Sequence, residues 1–168
     1  MILFRTDIDP AAGVGTFNRS VYLASLLRHR IPILFCLPGQ KISSRLEKKQ
    51  LSFCTPEEVM TRTETRPLSV VFDLKTYESR DLELVRWAGD QQLKTVQITD
   101  LGLDQQPVDY TIDASLQPMI LYKKNKQGLF GPDYVILHTK FRHFHRIKKT
   151  PSKKIKEILM IPGGAFNY

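Results

Sequence analysis

Three aspartates stand where short apolar runs end: Asp7 just beyond Ile2-Leu3-Phe4, Asp73 closing Leu68-Ser69-Val70-Val71-Phe72, and Asp100 just beyond Thr95-Val96-Gln97-Ile98. Carboxylates gathered on one rim can move protons or order the hydroxyls of a ribose or sugar. Asp in such places also caps a following helix or anchors a turn. Asp7 opens the loop Thr6 to Gly15, which holds Gly13 and Gly15 immediately before a segment with helical periodicity. Two missing Cβ atoms let a ligand approach the backbone closely, and the helix N-terminus behind them favours an anion. The same glycines also suit a simple tight turn. The loop is not the dinucleotide fingerprint, because the third glycine position holds Asn18. The second strand ends in Leu37-Pro38, without the acid that holds an adenosine ribose. A Gly-Lys-Ser/Thr phosphate loop is also missing.

His138, His143 and His145 are the remaining metal-type ligands, but residues two apart point to different sides of a helix and no third ligand is spaced to fit. Neither a metal nor a cofactor is expected. Cys36 and Cys54 have no metal-ligand spacing, and Cys36 lies inside the apolar run Ile33 to Leu37, so buried reduced thiols are expected. The stretch Lys140-Phe141-Arg142-His143-Phe144-His145-Arg146 could stack bases and neutralise phosphates. The competing expectation is that Phe141 and Phe144 pack one helix face inward while the basic residues face solvent or a cleft.

The elements that must position these residues alternate from the start. Ile2 to Phe4 reads as a strand. Residues 16–29 read as a helix with Phe17, Val21, Ala24 and Leu27 on one stripe and Thr16 as N-cap. Ile31 to Leu37 is apolar nearly throughout, as strands covered on both faces are, and a Lys/Glu-rich helix to Gln50 follows. Thr55-Pro56-Glu57-Glu58 fits a capping box with proline at the first helical position. The strand ending in Asp73, a helix through Leu82, Leu84, Val85, Trp87 and Ala88 closed by Gly89, and strands at Thr95 to Ile98 and Tyr110 to Ile112 continue the pattern. The polar turn Lys123 to Gly128 then leads past Gly131-Pro132 to an expected strand at Tyr134 to Leu137. Strand–helix–strand repeats with short links predict an α/β fold, a Rossmann-like open parallel sheet with helices on both faces.

Bulk properties narrow the classes. The 168 residues suit about one domain. No apolar run approaches the roughly 18 residues of a membrane helix. With no basic leader or cleavage site ahead of Ile2 to Phe4, a cytoplasmic location is expected. The net charge of +8 is uneven: residues 121–157 carry eleven Lys and Arg against two acids, whereas the first 120 carry fourteen against fifteen. A basic final third points either to nucleic acid or another anionic partner, or to a solvated connecting segment.

At this point the residues carry a likeness. Phe4-Arg5-Thr6-Asp7, then Gly13-Val14-Gly15-Thr16-Phe17-Asn18-Arg19, then Leu23-Ala24-Ser25-Leu26-Leu27 resemble the N-terminal signature of UDP-2,4-diacetamido-2,4,6-trideoxy-altropyranose hydrolases. These act in pseudaminic acid synthesis and are related to spore-coat polysaccharide glycosyltransferases. Val70-Val71-Phe72-Asp73, Phe130-Gly131-Pro132-Asp133-Tyr134-Val135-Ile136-Leu137 and Ile158-Leu159-Met160-Ile161-Pro162-Gly163-Gly164 agree in order and spacing. The resemblance implies a GT-B fold of two domains with a UDP-sugar in the cleft between them. Residues 1–150 would be the N-terminal domain, and 151–168 a linker and the first strand of the second. A second copy or a partner chain would then supply the remaining half. Thr16 stands where the family carries histidine, and its hydroxyl is too weak a base to activate water near neutral pH. The family's Asp-x-Tyr is here Asp73-Leu74-Lys75, with Tyr77 two residues on. Carried over, the resemblance implies Thr16 and Asp7 at the catalytic position. It implies Gly13, Gly15, Arg19, Asp73, Lys75, Tyr77, Gly163 and Gly164 against the substrate. From another class comes a non-catalytic module using residues 123–156 to bind nucleic acid or another anionic partner.

Overall fold

The computed structural model describes residues 1–7, 15–38, 51–61, 66–100, 106–115 and 127–141. Within them, β1 (Ile2–Thr6), β2 (Ile33–Cys36), β3 (Ser52–Cys54), β4 (Ser69–Asp73), β5 (Lys94–Thr99), β6 (Tyr110–Asp113) and β7 (Gly128–Phe130) form one sheet. The strand order is β3-β2-β1-β4-β5-β6-β7, and every neighbouring pair is parallel. Helix α1 (Gly15–Leu27) follows β1, α2 (Pro56–Thr61) follows β3, and α3 (Ser79–Asp90) follows β4. This is the open Rossmann-like α/β fold that the alternating pattern predicts.

Strand parity explains why helices cover both faces. Phe4, Phe35 and Val71 point to one side, where α1 buries Phe17, Val21 and Ala24 against them. Leu3, Leu34, Val70 and Phe72 point to the other, where they meet Val59 of α2 and Leu84, Val85 and Ala88 of α3. Each large apolar side chain so buried contributes about 1.5–3 kcal/mol before ordering costs. Cys36 and Cys54 are buried and unbridged on neighbouring strands, as their apolar setting predicts.

Local signals set the helix ends. The Thr55–Glu58 capping box is present: the Glu58 N–H donates to Thr55 Oγ1 at 3.2 Å and the Thr55 N–H to Glu58 Oε2 at 2.9 Å. Helix α1 begins one residue before the expected cap, so Thr16 lies inside its first turn. Helix α3 does not stop at Gly89 but runs to Asp90. There Gln92 takes the left-handed conformation (φ 54°), and the Leu93 N–H closes on the Ala88 carbonyl at 2.9 Å. A non-glycine residue thus performs the closure usually left to glycine.

The last third departs from expectation. The seventh strand is Gly128–Phe130, starting at the last residue of the segment read as a turn, and Tyr134 to Leu137 is not a strand. Gly131, at φ 107°, turns the chain out of β7, and Pro132 starts a 3-10 turn over Pro132–Tyr134. Residues 135–137 leave the sheet edge, with Val135 and Leu137 half exposed. Phe141 is 54% exposed rather than packed inward. The helix expected up to Gln50, residues 142–149, the linker and the strand at 158–161 lie outside the described residues. Among the described residues no helix is long and apolar enough to cross a membrane.

One buried ion pair ties the sheet to α3. Arg5, 1% exposed, donates through Nε to Asp81 Oδ1 at 2.6 Å, while Asp81 Oδ2 accepts the Glu78 N–H at 2.9 Å to cap the helix. Removing one member of a buried pair strands the other charge. Asp81→Ala is therefore expected to cost about 3–5 kcal/mol in urea unfolding. Thr55→Ala, at the exposed cap of α2, should cost only about 1 kcal/mol. Equal losses at the two sites would contradict the assigned role of Arg5.

Candidate functional site

The parallel register sets Thr6 beside Asp73, and the parity that sends Val71 toward α1 sends Asp73 the same way. Asp73 has no exposed surface. Its carboxylate meets the early part of α1: Arg19 donates through Nη2 to Oδ1 at 2.6 Å and through Nε to Oδ2 at 3.1 Å, and Ser20 Oγ donates to Oδ2 at 2.9 Å. The third guanidinium nitrogen, Nη1, reaches both oxygens of Asp100 at 2.9 and 3.0 Å. Asp100, just past β5, is 61% exposed, so Arg19 bridges a buried carboxylate to one on the rim. Burial pushes the Asp73 carboxyl above its ordinary range, with the Arg19 and Ser20 hydrogen bonds pulling against it. Burial works against the charge on Arg19 too, but Asp73 and Asp100 more than reverse that and hold it protonated.

A second cluster lies on the other face. Arg5 Nη1 donates to the Thr6 carbonyl at 2.7 Å and to Asp7 Oδ1 at 2.9 Å, alongside its pair with Asp81. Burial raises Asp7, with Arg5 opposing. The Asp7 carboxylate is thus engaged with Arg5, while its backbone carbonyl accepts a long hydrogen bond from Thr16 Oγ1 at 3.4 Å.

Beyond the carboxyl ends of β4, β5 and β6 lies a cleft of about 420 Å³. Gly15, Thr16 and Arg19 of α1 form one wall, with Lys75, Asp100 and Ser115 from the strand ends. Ile98, Ile112 and Ile136 make the floor, and Tyr22 and Tyr134 flank it. The strand order reverses between β1 and β4, and open α/β sheets bind ligands at such switch points. A Cβ built on Gly15 meets nothing within 4 Å, and its φ is not left-handed. Neither packing nor a turn demands glycine there; its effect is to leave the cleft wall open.

Of the residues singled out by sequence, Gly15, Thr16, Arg19 and Lys75 come together in the cleft, and Asp73 sits beneath it holding Arg19. Asp7 does not line the cleft. Tyr77 packs against Phe72 on the α3 face, ring centroids 6.0 Å apart, because two residues beyond Lys75 the chain has turned toward α3. Gly13, Gly163, Gly164, His143 and His145 lie outside the described residues, as does most of the basic 123–156 segment. Sequence reasoning noted Asp100 but not its pairing with Arg19. It missed Tyr22 as a lining residue, although Tyr22 is three residues from Arg19 on one helix face. Among the described residues no three His, Cys, Asp or Glu side chains are grouped to hold a metal ion.

Compared with models of known protein families and with curated proteins, the chain matches none. The site's chemistry therefore rests on its geometry. Arg19, Lys75, Asp73 and Asp100 balance in charge and present donors and acceptors side by side, and Thr16 carries no titratable group.

Replacing Arg19 tests the clamp. Arg19→Met leaves Asp73 buried and unpaired, at a cost of about 3–5 kcal/mol near pH 8. A carboxyl whose folded pKa lies above its unfolded value stabilises the fold below the unfolded pKa and loses that contribution as pH rises through the folded one. Without Arg19 the Asp73 value rises further, so the loss should shrink as pH falls toward 5. Urea unfolding at both pH values reads this out. A pH-independent loss, or one persisting in Arg19→Met/Asp73→Asn, would count against the clamp.

Proposed function

We propose that this chain is a nucleotide-sugar-binding domain of surface-glycan metabolism, similar in role to the N-terminal domain of the UDP-sugar hydrolases it resembles, and that it binds without hydrolysing. The observation that carries the reading is the cleft with its Arg19–Asp100 wall at the crossover between β1 and β4. A guanidinium fixed from behind and a carboxylate fixed by it form a planar, preorganised set of donors and acceptors, suited to neighbouring sugar hydroxyls. Tyr22 and Tyr134 supply faces for the ring's C–H surface. Lys75 and the α1 N-terminus offset phosphate charge. The sequence resemblance supports the same ligand class.

Absence of hydrolysis follows from the protonation chemistry. Both oxygens of Asp100 are engaged by Arg19, and Thr16 cannot serve near neutral pH. Hydrolysis assays with UDP-diacetamido-sugars should release no UDP or free sugar. Turnover within tenfold of an ordinary rate of about 10 per second would refute the non-catalytic assignment.

Binding is tested with UDP-N-acetylglucosamine by calorimetry and thermal shift. Gly15→Val places a branched side chain in open space at the cleft wall. The variant should unfold at the wild-type midpoint yet lose the ligand-induced shift. Unchanged binding would remove Gly15 from the site, and absence of binding by the wild type would remove the reading itself.

A further inference from the structure

At the carboxyl ends of the first three strands the register sets Arg5 beside Cys36, and Cys36 beside Cys54. All three side chains point to the face covered by α2 and α3: the two cysteines join the core there, and Arg5 reaches Asp81 of α3. Neighbouring strands lie about 4.8 Å apart, and directly paired residues of a parallel ladder project from the same face. A disulfide needs a Cα separation of about 4.4–6.8 Å and Cβ atoms that do not point apart. The register therefore already meets the backbone requirement for joining Cys36 to Cys54. The two thiols are unbridged, and Cys54 Sγ donates to the Phe35 carbonyl at 3.4 Å. The hydrogen bond with Cys54 and burial push the Cys36 thiol up, while the Arg5 charge pulls it down.

We infer that Cys36 and Cys54 are a reversible redox pair, which a hydroperoxide oxidises to a disulfide that fastens the edge strand β3 to β2. With hydrogen peroxide, one thiolate attacks a peroxide oxygen, forming an S–O bond as the O–O bond breaks. The departing oxygen takes the proton that the thiol gave up and leaves as water. The second thiolate attacks the resulting sulfenic sulfur, forming the S–S bond as the S–O bond breaks, and a second water leaves with its proton. Two thiols and one peroxide thus give one disulfide and two waters, the sulfurs oxidised and the peroxide oxygens reduced. Arg5 is what distinguishes this pair from cysteines that only fill a core, because a guanidinium beside the thiols favours the reacting thiolate. Cys36 and Cys54 are 0% and 2% exposed, so the oxidant enters when β3 opens. That strand is three residues long, ends the strand order and has Ser52 exposed, features of a segment that opens locally. The inference is independent of what occupies the cleft.

The test exposes the reduced full chain to hydrogen peroxide without denaturant. After the peroxide is removed, remaining thiols are counted by iodoacetamide labelling in urea. Non-reducing electrophoresis separates internal from intermolecular bonds, and a non-reducing peptide map locates the link. The expected result is a monomer whose thiol count falls from two to none, with Cys36 joined to Cys54 and both thiols restored by dithiothreitol. Its urea unfolding midpoint should lie above that of the reduced chain, because the bond also restrains the unfolded chain. Two alkylated cysteines after treatment, thiols that dithiothreitol does not restore, a bond between two chains, or a bond that forms only in urea would each overturn the pair. A midpoint that stays level or falls on oxidation would overturn the fastening of β3.

Discussion

A carboxylate with no exposed surface, Asp73, closes a central strand, and the arrangement of this molecule around its cleft depends on satisfying it. Moving a charge of that size out of water costs several kcal/mol after relaxation, so the fold must bring donors to it. It does so with Arg19 and Ser20, adjacent residues of α1 that can both reach the carboxylate only if the helix crosses the strand end at one rotation and one height. Phe17, Val21 and Ala24 fit the apolar face in that same pose. Hydrophobic packing supplies most of the energy, and the ion pair fixes the register. Because Arg19 continues to Asp100, the constraint extends outward to the rim of β5.

The opposite face repeats the device with the charges exchanged between sheet and helix. Arg5 of β1 reaches Asp81 in the first turn of α3, and its second branch reaches Asp7. The two central strands are therefore each tied to a helix in a different layer, β1 toward α3 and β4 toward α1. Between them lies the point where the chain reverses its direction of winding. Of the two ties only that of Arg19 borders the cleft, where it fixes the side chains of the wall as a preorganised site requires.

Much of this was legible in the sequence because parallel strands covered on both faces read as apolar runs, as β2 does throughout and β1 and β4 do over Ile2 to Phe4 and Val70 to Phe72. The capping box at Thr55 was legible for a similar reason: its geometry is local. The failures are where local signals compete with tertiary ones. Tyr134 to Leu137 has strand composition, but Gly131 and Pro132 turn the chain away before those residues can pair, and Gly128 to Phe130 pair instead. Tyr77 has the chemistry of a substrate contact, yet the turn after Lys75 hands it to Phe72 on the other face. The Arg19–Asp73 and Arg5–Asp81 pairs join residues 54 and 76 positions apart, which no window of sequence brings together. The one available hint was an arginine set within an apolar strand, since such a charge is rarely buried unless paired.

The same pairing that builds the site limits its chemistry. A general base needs a carboxylate or imidazole free to take a proton, with a pKa near the working pH. Asp73 is raised by burial but covered by Arg19 and Ser20 and has no exposed surface. Asp100 is reachable but held by the Nη1 group of a guanidinium that stays charged. Asp7 is turned to Arg5. Of these three described acids, Asp73 is thus inaccessible and Asp100 and Asp7 are ion-paired. What remains exposed to the cleft is a set of fixed hydrogen-bonding groups over an apolar floor. Such a surface gains affinity from preorganisation.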